Sequence, residues 1–248
     1  MRRIGGAACV AGTRLLGGGA VRSILRMTLL MIDLDNTLID RDGAFRLGVA
    51  EFLAAHGLPA ADVDWVMGVD ASGYASRSTV AQAIIERYPI GLEEDAVIDF
   101  LRRGAREHAR VTEPTIAALQ AVRAAGHQVV IVTNGAVPQQ TGKVKASGLD
   151  RLVDATVVSE GVGSRKPEAG IFHAAADAVG ATLNGAWMIG DRDDADILGA
   201  HLLGLRSVWL HLGREWSQTG YTPTHTADSA AEALEHAANS LRSTDERI

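Results

Sequence analysis

The 248-residue chain holds a single cysteine, Cys9, so disulfides within it and thiolate metal centres are excluded. A reducing cytoplasm fits that scarcity. No continuous apolar run is long enough to span a bilayer as a helix. The net charge of −6 gives no electrostatic reason to expect nucleic acid, whose binders need a Lys/Arg-rich face. There is no internal repeat, and simple sequence is confined to residues 1–26, which contain no acid at all. That stretch carries Arg2, Arg3, Arg14, Arg22 and Arg26 and the run Gly17-Gly18-Gly19. Arg2-Arg3 ahead of a mildly apolar stretch has the form of a secretory or twin-arginine signal. Thr13, Arg14 and the glycines interrupt it, however, and no clear cleavage site follows. The expectation is a disordered or mis-started extension, with Met27 as the true start.

What the chain does have begins directly after Met27. Residues 28–32 are apolar or β-branched and too few for a helix, which predicts a buried parallel strand. The run ends in Asp33-Leu34-Asp35-Asn36-Thr37-Leu38, two carboxylates one residue apart. Alternation along a strand would send them to opposite faces, so a shared site requires a loop to start here. Residues 41–57 then show the spacing of an amphipathic helix, and 60–108 carry only helical patterning, with segments at 63–69, 79–88 and 93–109. A small helical insert, 41–110, is expected between the first strand and the one that pairs with it.

From Glu113-Pro114 onward, strands and helices alternate. Strands are predicted at 127–132, 155–158, 186–189 and 206–210, and helices at 115–125, 139–147, 168–179, 197–203 and 229–241. Crossovers of this length imply an α/β fold, a Rossmann-like parallel sheet with helices on both faces, formed by 27–40 and 111–248. In such a sheet the carboxyl ends of all strands lie along one edge. Asp33 and Asp35, Thr133-Asn134-Gly135, and Gly190-Asp191 are therefore brought to one crevice, with Lys166 in a loop nearby.

The chemistry open to that set is narrow. Asp33 and Asp191 are hard oxygen ligands suited to Mg²⁺, and Lys166 would balance charge on a phosphoryl group or on the attacking carboxylate. Thr133 offers a hydroxyl to phosphate oxygens. Asp33 is a candidate nucleophile, and Asp35 a general acid and then base, carrying the proton that Mg²⁺ would drive off Asp33.

In order along the chain, Asp33-x-Asp35-Asn36-Thr37-Leu38, Thr133 at a strand end, Lys166-Pro167, and Gly190-Asp191 with Asp196 resemble the four motifs of the haloacid dehalogenase-like hydrolases. The resemblance runs from about residue 28 to the C-terminus. It implies a helical cap of the C1 type, with Asp33 as nucleophile and metal ligand. Asp35 would be the acid/base and lend its backbone carbonyl to Mg²⁺. Thr133 and Asn134 would hold the phosphoryl group, Lys166 would orient the nucleophile, and Asp191 would bind metal. Asp196 would support the metal site, with Asp193 and Asp194 as competitors for that role. Arg192 stands where the family commonly has a small polar residue. The second acid, Asp35, argues for phosphoryl transfer over dehalogenation, and Asn36 in place of glycine resembles the phosphatases and nucleotidases more than the mutases.

The resulting expectation is a Mg²⁺-dependent phosphomonoesterase acting on a small phosphorylated metabolite: a sugar phosphate, a nucleoside monophosphate or phosphoglycolate. It would act as a monomer or homodimer, without nucleic-acid or membrane partners. A phosphomutase, or a non-catalytic sensor of a phosphorylated ligand, is the alternative; a response-regulator receiver would give no reason for the helical insert. Asn36, Arg46 and the segment 74–78 with Arg77 are candidates for contacts to substrate. Lys143 and Lys145 read as a solvated helix face, the eight histidines as surface or helix-end residues, and Trp65, Trp187, Trp209 and Trp216 as packing.

Overall fold

The computed structural model describes residues 27–245, so the expectation for residues 1–26 lies outside the described residues. Six strands form one fully parallel sheet: β1 (Leu29–Ile32), β2 (Gln128–Thr133), β3 (Ala155–Val158), β4 (Trp187–Gly190), β5 (Arg206–Leu210) and β6 (His225–Ala227). Their spatial order is β3-β2-β1-β4-β5-β6, so β1, with the acid pair at its end, is flanked by β2 and β4. Among the described residues there are ten α-helices: α1 (Arg41–Ala55), α2 (Val63–Asp70), α3 (Arg77–Arg87), α4 (Glu94–Glu107), α5 (Glu113–Ala124), α6 (Val137–Ala146), α7 (Ser159–Val162), α8 (Ala169–Ala178), α9 (Leu198–Leu202) and α10 (Ala230–Asp245).

Successive strand residues alternate between two apolar layers, and both layers are covered. Leu30, Ile32, Val129, Ile131 and Ile189 pack with Leu119 and Val122 of α5 and Leu234 of α10. Leu29, Met31, Val130, Val132 and Met188 pack with Ile171 and Phe172 of α8. A strand buried on both faces needs no polar alternation, which is why the apolar run before Asp33 was readable as a central strand.

The helical insertion has a hydrophobic cluster of its own. Phe45, Val49, Phe52 and Leu53 of α1 meet Val66, Val80, Ile84, Val97 and Leu101 of the next three helices. Burying each of the large side chains contributes roughly 1.5–3 kcal/mol. Helices α1 and α4 cross at Gly48 and Gly104, where a Cβ on Gly104 would lie 2.7 Å from the Gly48 Cα. Only hydrogen at both positions allows that approach.

Local chemistry moves several boundaries from their predicted places. Helix α5 starts at Glu113 because the Thr112 hydroxyl accepts from Thr115 N–H and Pro114 sits in the first turn, where no N–H is needed. Helix α6 starts at Val137 for a similar reason: Pro138 occupies its first turn, and the Glu160 carboxylate accepts from Val137 N–H at 2.6 Å. Strand β6 has no counterpart in the sequence reading. Its three residues carry no apolar run, and only pairing along β5 makes them a strand.

Candidate active site

The chain leaves β1 where the paired acids require it to. Asp33 N–H still donates across the sheet to Ile189 O at 2.9 Å. One residue later, Leu34 O accepts from Leu38 N–H and Ile39 N–H, both at 3.0 Å, and Asn36 takes a left-handed φ of 57°. Two caps then start α1: Asn36 Oδ1 accepts from Asp42 N–H at 3.0 Å, and Asp40 Oδ1 from Gly43 N–H at 2.8 Å. The Asn36 oxygen is thus committed to the backbone, although the residue borders the cavity. Released from strand alternation, Asp33 and Asp35 both line a cavity of about 460 Å³, together with Asn36, Thr133, Asn134 and Asp191.

Asp33, Asp191 and Asp196 bring carboxylate oxygens within 4.8 Å of one another, all three buried. Burial pushes Asp33 up to about 7; Lys166 opposes it, while Asp196 and Asp35 add to it. Burial, then the charges of Asp33 and Asp196, push Asp191 up to about 8. Lys166 is nearly inaccessible. Its Nζ bonds Asp33 Oδ1, donates to Val132 O at 2.7 Å and lies 2.8 Å from Asp196 Oδ1. Burial alone would lower its proton affinity, but Asp196 and Asp33 outweigh that, so the ammonium is held charged. Three buried carboxylates face one buried ammonium, and the raised proton affinity of Asp33 and Asp191 registers that deficit of positive charge. A donor set of hard oxygens without sulfur or imidazole fits Mg²⁺.

The competitors of Asp196 stand outside the buried carboxylate cluster, although Asp194 borders the cavity. Asp193 accepts from Gln218 Nε2 at 2.6 Å, and Asp194 accepts from Arg192 at 2.9 and 3.0 Å. Asp196 turns inward, with Oδ2 accepting from Arg192 N–H at 3.0 Å, on a π-helical turn Asp193–Ile197. Gly190 makes room for it, since a Cβ there would lie 2.1 Å from Asp196 Oδ2.

Asp35 has a partner the sequence reading assigned to solvent. Lys143 Nζ lies 2.6 and 2.7 Å from its two oxygens, and Gln140 Nε2 donates to Oδ2 at 2.9 Å. Lys143 is buried, whereas Lys145 is exposed as expected. Burial alone would raise Asp35; Lys143, then Gln140 and Arg41, outweigh it and hold the carboxyl below its ordinary value. In the protein without metal, these partners favour the ionised form of Asp35, whereas the expectation that Asp35 carries the proton was made for the Mg²⁺-bound site. One sequence signal existed: Gln140 and Lys143 stand three apart, a single face of α6, beside the buried Val144.

Gln140 also donates to Thr133 Oγ1 at 2.6 Å, so the Thr133 hydroxyl is fixed at the end of β2. Asn134 faces the lysine loop: its Nδ2 donates to Lys166 O at 3.1 Å and its Oδ1 accepts from Lys166 N–H at 2.9 Å. Its side chain positions Lys166 as well as bordering the cavity. Arg46, expected among the substrate contacts, lies away from the cavity in this structure. It is 52% exposed, pairs with the surface acid Asp64 at 2.6 Å, and does not line the cavity. The insert supplies Arg41 and Arg77 there instead. Arg214 was not foreseen either. It follows β5 and reaches Asp191 O at 2.6 Å and Oδ2 at 3.3 Å.

A model of the haloacid dehalogenase-like hydrolases matches residues 27–204. The pyrimidine 5'-nucleotidase YjjG of Escherichia coli is 33% identical over 118 residues, 47% of this chain and 52% of that protein. A glyceraldehyde 3-phosphate phosphatase of Pyrococcus abyssi is 31% identical over 93 residues, 38% of this chain and 39% of its own length. The chain thus spans about half or less of the length of these curated relatives. Among solved structures, the HAD-hydrolase YfnB of Bacillus subtilis, bound to magnesium, superposes with a TM-score of 0.71 at 23% identity, over 86% of this chain and 99% of that one. With the motif residues gathered at one sheet edge and the family match covering most of its length, this chain belongs to the haloacid dehalogenase-like hydrolases.

Proposed function

We propose that the protein is a Mg²⁺-dependent phosphomonoester hydrolase of small phosphorylated metabolites, working through an aspartyl-phosphate on Asp33. The observation that carries this reading is a buried Asp33 bonded to Lys166 while a second carboxylate, Asp35, faces the same cavity. A nucleophile alone would serve a dehalogenase; the second acid has a use only where a leaving oxygen must be protonated and a water deprotonated.

In the first half-reaction an Asp33 oxygen bonds to phosphorus, the ester P–O bond breaks, and the leaving oxygen takes a proton from Asp35. In the second, Asp35 takes a proton from water as its oxygen attacks the phosphorus of the acyl phosphate, freeing Asp33 and inorganic phosphate. Lys166 fixes the attacking carboxylate and offsets its charge. Lys143 and Gln140 favour the ionised form of Asp35 before substrate binds, so in this reading its proton for the first step is taken up in the substrate complex. The negative phosphoryl group beside it raises its proton affinity in that complex. Asp33, Asp191, Asp196 and the Asp35 carbonyl would hold Mg²⁺, which supplies charge neutralisation to phosphoryl oxygens when bound. The insert at 41–110 acts as a cap that excludes water and reads the leaving group.

The test is phosphate release from a panel of phosphorylated metabolites, with Mg²⁺ and with chelator, beside Asp33→Asn. Metal-dependent release that the substitution abolishes supports the reading. Turnover at the wild-type rate in pure Asp33→Asn protein overturns it.

A further inference from the structure

The wall of the cavity that faces Asp35 is built by the insert, and its electrostatics are incomplete. Asp70, wholly buried, accepts from Arg41 NH2 at 2.8 Å and from Gly73 N–H at 3.0 Å, and also bonds Arg41 NH1 and Arg77 NH1. Arg41 has a second acid, Asp42, at 2.7 Å. Arg77 shares Asp70 and has no other carboxylate in contact among the described residues. Its guanidinium carbon lies over the Phe45 ring, 4.1 Å from the centroid, and the side chain is 18% exposed, bordering the cavity with Arg41, Ser72 and Gly73.

One buried carboxylate serving two guanidiniums is an expensive arrangement for stability alone. A structural ion pair needs one arginine, and a second adds desolvation and like-charge repulsion. Burial, then the charge of Arg41, lower the proton affinity of Arg77; after Asp70, the acid that acts on it is Asp35 across the cavity. An anion entering between Arg77 and Asp35 would relieve that imbalance. The arginine pair therefore has the form of a receptor with one acceptor missing.

The cavity is poorly built for a nucleobase. No aromatic side chain borders it among the described residues. The nearest rings are already covered, Phe45 by Arg77 and Tyr74 by Arg192 at 3.4 Å. A base would find no face to stack on.

Resting on the hydrolase reading above, we propose that Arg77, backed by Arg41 and Asp70, selects phosphate monoesters whose leaving group carries a second anionic group, a carboxylate or another phosphate, a few bonds from the ester oxygen. Arg77 is then a specificity residue of the insert, held ready by the buried Asp70.

Matched ester pairs test this. 2-Phosphoglycolate against ethyl phosphate isolates a carboxylate, and propane-1,3-diol bisphosphate against propyl phosphate isolates a second phosphate. For at least one pair, kcat/KM of the anionic member should exceed that of its partner by about 10- to 100-fold, the range of one charge-assisted contact. Arg77→Gln should collapse that ratio mainly through KM, and Arg77→Lys should restore part of it. Equal use of both members in both pairs, or a ratio that survives Arg77→Gln, overturns the inference. Calorimetry with phosphonoacetate and ethylphosphonate makes the same comparison without turnover. Selective binding of phosphonoacetate that Arg77→Gln removes, with no phosphate released from any ester, would overturn the hydrolase reading and leave the anion site standing. Equal binding of the two phosphonates, together with no preference for the bisphosphate, would overturn the anion site whatever the turnover.

Discussion

Lys143 and Asp35, 108 residues apart, form a two-pronged ion pair in which Nζ lies 2.6 and 2.7 Å from the two carboxylate oxygens. The proposed acid/base residue is thus held from the helix that follows β2, which also carries the Gln140 contact to Thr133. Lys143→Met keeps the length of the side chain and removes the charge. It should lower kcat by about 10²-fold, the scale of a misplaced general acid/base, with KM changed only a few-fold. Lys143→Arg should recover part of the loss. Steady-state kinetics on a good substrate, with folding monitored by circular dichroism, checks this; wild-type kcat in Lys143→Met would show the pair to be idle.

Asp70 gives the insert a defined acid limb of stability. Burial pushes its carboxyl up, and Arg41, then Arg77, outweigh burial and hold it below its ordinary value. A carboxyl depressed in the folded state stabilises fully above the unfolded value of about 3.9, and the contribution fades as pH falls through the folded value. Asp70→Asn should therefore cost about 3–5 kcal/mol near neutral pH, because two buried guanidiniums lose their counter-charge. That penalty should shrink below about pH 4. Denaturant unfolding of both proteins across pH 3 to 7 measures the difference, and a penalty constant with pH would contradict the ion-pair account.

Mg²⁺ should stabilise the protein. At a concentration near a hundred times Kd the gain is about 2.7 kcal/mol, or roughly 5–10 °C in Tm for a chain of this size. Asp191→Asn should remove most of that response. Gly190→Ala should blunt it as well, since the new methyl would overlap Asp196 Oδ2. Thermal scans with and without Mg²⁺ read both, and an undiminished shift in Asp191→Asn would place the ion elsewhere.

Arg46→Ala should change little. The Arg46–Asp64 pair is solvent-exposed, and such pairs contribute about 0–1 kcal/mol. Tm within a degree or two and unchanged kcat/KM are expected, and a raised KM would return Arg46 to the substrate.

Much of the site was legible because its residues sit where local signals end. An apolar run too short for a helix and stopped by carboxylates marks a central strand and its carboxyl edge at once, so patterning alone placed Asp33, Thr133 and Asp191 at the sheet edge where they border one cavity. The competition among Asp193, Asp194 and Asp196 was not decidable that way. All three lie on one acidic turn, and their directions depend on the neighbouring Arg192 and on Gln218 and Lys166 from two other parts of the chain.

Composition and strand patterning by themselves determined the parallel α/β core, the helical insertion after β1 and the acids along one edge, because burial on both faces and turn chemistry are written in neighbouring residues. Tertiary structure alone decided that Lys143 faces Asp35, that Arg214 reaches Asp191, that Arg77 instead of Arg46 borders the cavity, and that His225–Ala227 is a strand. Each of these depends on which charged group or strand edge lies across a crossover. A lysine on a helix looks the same in sequence whether water or a carboxylate faces it.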